Sequence, residues 1–292
     1  MFEVYLGNVG EQVNCIADKS VQCIVTSPPY FGHRIYAGDE HSEKEIGREN
    51  SVVDYVANLV AVVNLLKPKL AQNGLLWLNL GDTYRDGKLQ GAPWRIAFAL
   101  ADSGWLLRSD IIWHKPNAMP SSVKNRPTVA HEYLFMFSRS KDYYYNADAI
   151  REPHVTFSEN SKMRGGRRHL GIRNGTPEKG KNAGNSNLHT GRWDQAFHPM
   201  GRNKRTVWDI PLGKFRESHF AVFPEKLVEI CIAASSKSGD LVMDPFTGSG
   251  TTGVVAVKLG RRFVGIELYK KYKDMAQKRI SDALDLFTRQ AA

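Results

Sequence analysis

The chain has only three cysteines, Cys15, Cys23 and Cys231, and no two of them form a CxxC pair. An odd number of cysteines without metal-ligand spacing argues against a disulfide framework and against a zinc site. We therefore expect the three thiols to be small, buried, apolar groups, and we predict no metal in the protein.

Long apolar runs are also missing, since none approaches the ~20 residues that a membrane-spanning helix needs. Residues 1–14 lack the charged start and the long apolar stretch of a signal peptide. These two absences predict a cytoplasmic protein. A length of 292 residues, 42% of them hydrophobic, is enough for one α/β core with an insertion or for two small domains.

Acidic residues are fewer than basic ones, with 30 Asp and Glu against 40 Lys and Arg and a net charge of +10. Most of this excess lies in residues 151–207, which contain 12 basic and 4 acidic side chains, a net charge of +8. The segment is also rich in glycine and poor in apolar residues, which indicates an extended insertion. A polyanion such as nucleic acid is its natural partner, and a solvated basic loop without a ligand is the alternative.

Along the rest of the chain, short apolar segments alternate with segments whose apolar residues recur at helical spacing. Six strands are predicted, at 21–26, 75–80, 106–113, 133–138, 240–244 and 263–267. Helices are predicted from a Ser51 cap to Pro68 and at 93–101, 224–234, 251–259 and 269–286, with a turn at Asn73 and Gly74 and a mobile loop over 31–50. This alternation predicts an α/β fold with a mainly parallel sheet and helices on both faces.

A glycine-containing loop, DPFTGSGTT at 244–252, follows a predicted strand and opens a predicted helix. Glycines allow a backbone to approach a ligand closely, and a helix N-terminus favours a carboxylate. Glu267 ends the next strand, where it can accept hydrogen bonds from two ribose hydroxyls. The loop lacks the GxGxxG and GK[ST] patterns, so it favours a nucleoside cofactor over a dinucleotide or a nucleoside triphosphate. A plain strand–helix turn is the alternative.

A second motif, TSPPY at 26–30, follows the first predicted strand. Its two prolines stop strand and helix pairing, so it predicts a rigid loop at the end of a buried strand. The Pro28 carbonyl, with its direction set by proline, and the Ser27 oxygen are two candidate acceptors. Together they can accept hydrogen bonds from one ligand group, while Tyr30 offers an aromatic face for stacking. A strand-terminating turn without chemistry is the alternative.

With TSPPY ahead of DPFTGSG, the sequence resembles the β class of bacterial and phage DNA methyltransferases that methylate amino groups. In that class the catalytic motif comes first, then a target-recognition region and then the cofactor loop. Segments 74–84, 108–117, 126–138 and 219–232 also look like the family. The resemblance covers essentially the whole chain outside 151–207.

The resemblance implies a class I methyltransferase, Rossmann-like fold. Its parts are a catalytic region 1–150, a loop-rich basic target-recognition insertion 151–207 and a cofactor-binding region 208–292 of the same domain. The implied reaction moves a methyl group from S-adenosylmethionine to an exocyclic amino nitrogen of a base flipped out of duplex DNA. Ring-carbon methylation would need a cysteine nucleophile after a proline, and the chain has no such pair.

The resemblance also assigns roles to individual residues. The implied catalytic residues are Ser27, Pro28, Pro29 and Tyr30. The implied cofactor contacts are Asn8, Thr26, Phe223, Asp244, Pro245, Phe246, Gly248, Ser249, Gly250, Thr251, Thr252, Glu267 and Leu268. Asn8 departs from the family, which usually has an aspartate there, so it would hold the cofactor without a charge.

Basic residues near the predicted site and in the insertion are the candidate DNA contacts. They are His33, Arg34, Lys115, Arg164, Arg167, Arg168, Arg202, Lys204 and Arg205, and for each an exposed charge without a role is the alternative. Trp113, His114 and Asn117 end a strand beside Lys115, and the resemblance places them near the target base or the phosphates. His131 and Glu132 lack the second histidine of a zinc protease motif, so we expect them to pack in the core or around a site.

Ser27 bears on the substrate, because in the family a serine there goes mostly with cytosine and an acid mostly with adenine. We therefore predict methylation of cytosine at N4, with adenine N6 as the alternative. Methylation of RNA or of a protein amide is more remote, as is a DNA-binding protein without catalysis. The implied partners are double-stranded DNA, a separate cognate restriction endonuclease and a second copy of the chain in a homodimer, in restriction-modification or in phage or host DNA protection.

Overall fold

The computed structural model describes residues 1–32, 45–153, 198, 200–213 and 223–291 of the chain. The chain divides into two compact units, one of Met1–Asn146 with Thr206–Ala292 and the other of Ala147–Arg205. In the second unit, a 3-10 turn at Asp148–Ile150 precedes an isolated bridge between Glu152 and Arg202. Most of the predicted insertion 151–207 lies outside the described residues, so its role in target recognition stays a prediction.

An eight-stranded sheet organises the first unit. In chain order the strands are β1 (Phe2–Leu6), β2 (Val21–Thr26), β3 (Leu70–Leu80), β4 (Tyr84–Arg85), β5 (Lys88–Leu89), β6 (Leu106–His114), β7 (His131–Ser138), β8 (Val207–Asp209), β9 (Leu241–Asp244) and β10 (Arg262–Glu267). Strands β4 and β5 form a separate hairpin, and the order across the main sheet is β1-β10-β9-β2-β3-β7-β6-β8.

The main sheet is mixed but mostly parallel. Strands β1, β10, β9, β2 and β3 run parallel, as do β6 and β8, whereas β7 is antiparallel to both of its neighbours, β3 and β6. The predicted mainly parallel sheet is therefore confirmed.

Helices cover both faces of the sheet, as predicted. They are α1 (Val9–Gln12), α2 (Val52–Leu66), α3 (Ala92–Asp102), α4 (Glu225–Ser235), α5 (Thr251–Lys258) and α6 (Lys270–Ala291). Alternate residues of each strand point to opposite faces of the sheet. On one face, Ile24 and Leu76 pack in a core with α2 and α3. Cys23 and Trp77, on the other face, both contact Ser235 of α4.

The start of α2 follows the predicted cap. Ser51 is extended, and its hydroxyl oxygen accepts a hydrogen bond of 3.1 Å from the Asp54 N–H. An N-cap of this kind satisfies a backbone donor that the first turn of a helix otherwise leaves without a partner. The helix begins at Val52 and ends at Leu66, just before Pro68.

The predicted turn at Asn73 and Gly74 is wrong, because β3 continues through both residues. The register between β2 and β3 instead shifts between Val21 and Cys23. Gly74 permits this irregularity, since a Cβ at its position would lie only 2.7 Å from the side chain of Leu70. The Asn–Gly pair marks a bulge within a strand here, not a reversal of the chain.

The cysteines follow the prediction only in part, since Cys23 and Cys231 are buried but Cys15 is exposed. Cys15 lies in a 3-10 turn, Val13–Cys15, of which only Val13 is buried. Burial raises the pKa of the Cys23 thiol to about 12. In the described part of the chain, no helix is long and apolar enough to cross a membrane, and no cluster of potential metal ligands is found.

The central parallel strands all end at one edge of the sheet. Strands β2, β3, β9 and β10 end there at Thr26, Leu80, Asp244 and Glu267. Strand β6 ends at the same edge, and the antiparallel β7 begins there, because His114 pairs with His131. Ligands of open α/β sheets bind beyond the carboxyl ends of parallel strands, so this edge is the natural place for a site.

Candidate active site

A buried hydrogen bond joins the two sequence motifs at this edge. The Thr26 hydroxyl at the end of β2 donates to Asp244 Oδ1 at the end of β9, over 2.7 Å. Both side chains are fully buried. Because β2 and β9 are parallel neighbours, the turn after Thr26 and the loop after Asp244 begin side by side.

The Asp244 carboxylate also holds the loop that follows it. Its Oδ2 accepts a hydrogen bond of 2.6 Å from the Thr252 hydroxyl, and its Oδ1 accepts one of 3.0 Å from the Phe246 N–H. Burial raises the pKa of Asp244 to about 6, although its hydrogen bonds favour the charged form. One buried acid thus ties the glycine loop to β2.

A cavity of about 470 Å³ lies between the turn and the loop. The predicted site residues that line it are Asn8, Ser27, Pro29, Phe223, Pro245, Phe246, Gly248, Ser249, Thr251, Glu267 and Leu268. Polar residues that the sequence did not single out also line it, namely Glu45, Glu49, Asn58, Tyr269 and Tyr272. A cavity of this size suits a nucleoside-sized ligand.

Four predicted cofactor contacts do not line this cavity. Thr26, Asp244 and Thr252 are fully buried and bond to one another beneath the loop. Gly250 has a φ of 84° and faces α6, since a Cβ there would lie 2.8 Å from Ala276 Cβ. These four residues shape the loop from below and do not present atoms to the cavity.

Glu267, at the end of β10, faces the glycine loop. Its Oε2 accepts a hydrogen bond of 2.8 Å from the Gly248 N–H, and its Oε1 accepts one of 3.0 Å from the Tyr269 N–H. Burial raises the pKa of this carboxyl to about 7, and the nearby Asp244 adds to the rise. Two backbone donors therefore orient the carboxylate at the cavity wall.

Two further acids lie along the same cavity. Glu45 is buried, and its Oε2 lies 3.4 Å from Nη1 of Arg48. Glu49 accepts hydrogen bonds from the Gly47 N–H at 2.8 Å and from Asn58 Nδ2 at 3.1 Å. Acidic walls favour a cationic or hydroxyl-rich ligand. The sequence carried no signal for these two acids, because they come from a stretch without periodicity.

Helix α2 holds the Ser-Pro-Pro-Tyr turn in place. The Tyr55 hydroxyl donates to the Pro29 carbonyl over 2.9 Å, and its ring packs against Phe31 with 5.6 Å between centroids. Pro28 is buried. Tyr55 thus occupies the Pro29 carbonyl, whereas no hydrogen bond to the Pro28 carbonyl is found in the described part of the chain, and neither Pro28 nor Tyr30 lines the cavity.

Tyr30 is held by both its ring and its hydroxyl. The ring lies against Gly81, where a Cβ would come within 2.6 Å of Tyr30 Cε2. The hydroxyl donates to Glu132 Oε2 over 2.7 Å and lies 3.1 Å from Ser27 Oγ. Burial raises the pKa of Tyr30 well above its ordinary value, and the Glu132 carboxylate adds to the rise.

Asn79, Lys115 and Glu132 form a polar cluster that contacts Ser27 and Tyr30. Asn79 Nδ2, on β3, donates to Glu132 Oε2 over 2.7 Å. Lys115, which follows β6, donates to Glu132 Oε1 and also lies 4.7 Å from the centre of the Trp113 ring. We predicted that Glu132 packs in the core or around a site. In the structure it bonds to Tyr30 after β2, to Asn79 on β3 and to Lys115 after β6, so it lies at the site.

The structure describes four of the nine candidate DNA contacts. Lys115 is paired with Glu132, and its contact with DNA stays a prediction. In the second unit, Arg202 and Arg205 both pair with Glu152, over 3.2 Å and 2.9 Å, and Lys204 lies between them in sequence. Five others lie outside the described residues, namely His33, Arg34, Arg164, Arg167 and Arg168.

The end of β6 carries the other residues that the resemblance placed near DNA. His114 Nδ1 lies 2.7 Å from Asp209 Oδ1 of β8. Asn117 is bonded to Leu212 twice, accepting from its N–H and donating to its carbonyl. These contacts attach the segment after β8 to the end of β6, and they give both residues a structural role.

Known proteins resemble this chain in sequence. Residues 21–278 match the DNA methylase family. The chain is 40% identical to the Type II methyltransferase M.Cfr9I of Citrobacter freundii, over 89% of this chain and 81% of that protein. It is 36% identical to M.SmaI of Serratia marcescens, over 95% and 90% of the two chains.

Solved structures resemble it in fold. The cytosine-N4-specific PvuII DNA methyltransferase gives a TM-score of 0.68 at 19% identity, over 99% of this chain and 92% of that one. A Thermus thermophilus protein complexed with S-adenosyl-L-methionine gives 0.61 at 24% identity, over 97% and 96%. The predicted class I methyltransferase fold is confirmed, and with the family match over most of its length the chain belongs to the DNA methylase family.

Proposed function

We propose that this protein transfers a methyl group from S-adenosylmethionine to an exocyclic amino nitrogen of a base in duplex DNA. The observation that carries the proposal is the 2.7 Å hydrogen bond between Thr26 and Asp244. Because of it, Ser27 and the Gly248 loop line the same cavity. A methyl donor and an acceptor base could therefore meet without a large movement of the sheet.

The residues around the cavity fit S-adenosylmethionine. When bound, this cofactor supplies a methyl group activated by a sulfonium. Glu267, at the end of β10, is placed to accept hydrogen bonds from ribose hydroxyls, and the acids Glu45 and Glu49 suit a ligand with two positive groups. Apolar walls at Phe223 and Phe246 can cover its adenine ring.

The Ser-Pro-Pro-Tyr turn is proposed to activate the target amine. An exocyclic amino group is a poor nucleophile, because its lone pair is delocalised into the ring. The Ser27 oxygen and the Pro28 carbonyl would accept hydrogen bonds from its two N–H groups, and the nitrogen lone pair then becomes available to attack the methyl carbon. The nitrogen–carbon bond forms as the carbon–sulfur bond breaks, a neutral thioether leaves, and the methylated nitrogen releases one proton to water. By bonding to the Pro29 carbonyl over 2.9 Å, Tyr55 would limit the movement of the turn that contains Pro28. Most of the rate enhancement would come from placement.

We propose cytosine N4 as the methylated atom and adenine N6 as the alternative. The proposal depends on Ser27, since the family uses serine at this place mostly with cytosine. Nucleoside mass spectrometry of DNA from cells that express the protein would separate the two, because N4-methylcytosine and N6-methyladenine differ in mass and fragmentation. Adenine marks alone would overturn the cytosine assignment.

Transfer of labelled methyl groups to duplex DNA tests the reaction itself. We expect incorporation by the wild type and a loss on the order of 10²-fold or more in Ser27→Ala. Ser20→Ala is the matched control, because its hydroxyl bonds to the Ala17 carbonyl at the start of β2, far from the cavity. Methyl label on RNA or protein but not on DNA would favour an RNA or protein-amide methyltransferase. Binding to DNA without any methyl transfer would favour a DNA-binding protein without catalysis.

The partners follow from the same proposal. The relatives M.Cfr9I and M.SmaI are named Type II methyltransferases, which supports action beside a separate restriction endonuclease. Protection of methylated DNA from a co-encoded nuclease would test this. Size-exclusion chromatography with light scattering would test the proposed homodimer, and a monomer at all concentrations would remove it.

A further inference from the structure

The Tyr30 hydroxyl lies between Ser27 and Glu132. It donates to Glu132 Oε2 over 2.7 Å, and its oxygen lies 3.1 Å from Ser27 Oγ. An ionised carboxylate can only accept, so the single hydroxyl proton of Tyr30 points to Glu132. The Tyr30 oxygen must then accept from the Ser27 hydroxyl. With its proton directed at Tyr30 and one lone pair facing Asn79 Nδ2 at 3.3 Å, Ser27 Oγ keeps a second lone pair for the cavity that it lines.

Lys115 keeps Glu132 in this role. Its Nζ donates to Glu132 Oε1, and only 16% and 14% of the two side chains are exposed. An ion pair shielded from bulk water holds the carboxylate in place as an acceptor. Burial and the nearby Glu132 also raise the pKa of Tyr30, so Tyr30 stays protonated and remains a donor.

Asn79 takes its orientation from the same carboxylate. Its Nδ2 lies 2.7 Å from both the Tyr30 hydroxyl and Glu132 Oε2, and 3.3 Å from Ser27 Oγ. Its Oδ1 is buried and has no hydrogen-bond partner among the described residues. A flipped amide would bring Oδ1 against the carboxylate, which would repel it. The unpaired oxygen is therefore tolerated because Glu132 attracts the other end of the amide.

We propose that Glu132, held by Lys115, is a positioning residue that directs the hydrogen bond from Ser27 to Tyr30, so that Ser27 Oγ is free to accept a hydrogen bond from the target amine. This inference rests on the proposed function, because it assigns Ser27 to the target. Glu132 itself touches neither substrate nor cofactor in the proposed arrangement. It acts through Tyr30, from a strand 102 residues further along the chain.

Methyl transfer by Glu132→Gln is the first measurement. An amide can donate as well as accept, so it no longer sets the direction of the hydrogen bonds. We expect kcat to fall on the order of 10²-fold, while the KM for S-adenosylmethionine changes less than about twofold. The matched control is Asp18→Asn, which neutralises a carboxylate paired with Lys69 near the opposite edge of the sheet and should leave kcat unchanged. A Glu132→Gln enzyme with the kcat of the wild type would overturn the proposal.

A double-mutant cycle with Tyr30→Phe separates positioning from general damage. If Glu132 acts through Tyr30, then Glu132→Gln should add less than about threefold to the loss that Tyr30→Phe causes. Thermal unfolding of each variant checks that the fold is retained. If the kcat losses of the two single variants multiply fully in the double variant, Glu132 acts by another route, and the assignment is overturned.

NMR of the Asn79 side-chain amide supplies a readout that does not depend on catalysis. In protein labelled with ¹⁵N-asparagine, the Asn79 NH₂ signals should shift and exchange faster with solvent in Glu132→Gln but not in Asp18→Asn. Unchanged signals in Glu132→Gln would overturn the positioning role. A wild type that transfers no methyl to DNA but shows the expected shift would overturn the proposed function and leave the orienting role of Glu132 supported.

Discussion

The hydroxyl of Thr26 and the carboxylate of Asp244 are 218 residues apart in the sequence and 2.7 Å apart in the structure. This contact joins the carboxyl ends of two parallel strands, β2 and β9. The turn and the loop that follow these strands therefore lie side by side. Neither side chain lines the cavity, so the bond serves the site by holding its two halves together.

Loss of Asp244 should destabilise the whole protein. Asp244→Ala removes the acceptor of the buried Thr26 and Thr252 hydroxyls and of the Phe246 N–H, and we expect the free energy of unfolding to fall by about 2–4 kcal/mol. Urea denaturation followed by circular dichroism measures this. The control Asp240→Ala removes an exposed bond to the Lys237 N–H and should cost within about 1 kcal/mol. Equal losses in the two variants would contradict the prediction.

Glu267 should make stability fall as the pH rises. Its pKa of about 7 in the folded protein lies above the ordinary value of 4.5, so between these values the folded state binds more protons than the unfolded chain. The free energy of unfolding should therefore decrease between pH 5 and pH 7, with about 2 kcal/mol of the change coming from this group.

Denaturation of Glu267→Gln at both pH values isolates this contribution, because the variant cannot titrate at this position. The Glu267→Gln protein should lose less stability than the wild type on going from pH 5 to pH 7. Glu225→Gln, which neutralises an exposed acid paired with Lys258, should keep the pH dependence of the wild type. Identical pH profiles for Glu267→Gln and the wild type would show that burial does not shift this carboxyl.

Gly81 should be required for the placement of Tyr30. In Gly81→Ala the new Cβ would lie 2.6 Å from Tyr30 Cε2, so the ring must move. We expect kcat to fall about 10-fold or more, with unchanged affinity for S-adenosylmethionine by calorimetry. Gly213→Ala is the control, since a Cβ there meets no atom within 4 Å. A Gly81→Ala enzyme as active as Gly213→Ala would mean that Tyr30 tolerates displacement.

DNA binding should weaken steeply with salt, because residues 151–207 carry a net charge of +8. If Arg164, Arg167 and Arg168 contact phosphates, replacing all three with alanine should reduce the slope of log Kd against log salt by about 2–3. Fluorescence anisotropy with a labelled duplex measures the slope. Lys270→Ala with Lys278→Ala removes two exposed charges of α6 and should leave it unchanged. An unaltered slope in the triple variant would exclude these arginines as phosphate contacts.

Local patterns were sufficient for six of the ten strands and five of the six helices in the described part of the chain, and for both loops of the site, whereas β1, β4, β5, β8 and α1 were not predicted. Prolines stop a strand wherever they occur, and glycines between a strand and a helix permit a ligand-binding loop. Local patterns could not tell which side of the loop an atom faces. Thr252 and Gly250 were thus assigned to the cofactor, although Thr252 bonds to Asp244 beneath the loop and Gly250 packs on α6.

The sequence by itself therefore determined the family, the mainly parallel α/β fold and the positions of the two motifs, because each of these depends on neighbouring residues. Only the tertiary structure decided what surrounds Ser27 and Tyr30. Strand β7 runs antiparallel, so its first residues reach the edge where the parallel strands end, and Glu132 arrives beside Asn79 and Tyr30. Strand direction is set by packing across the whole sheet, and no local pattern around Glu132 contains it.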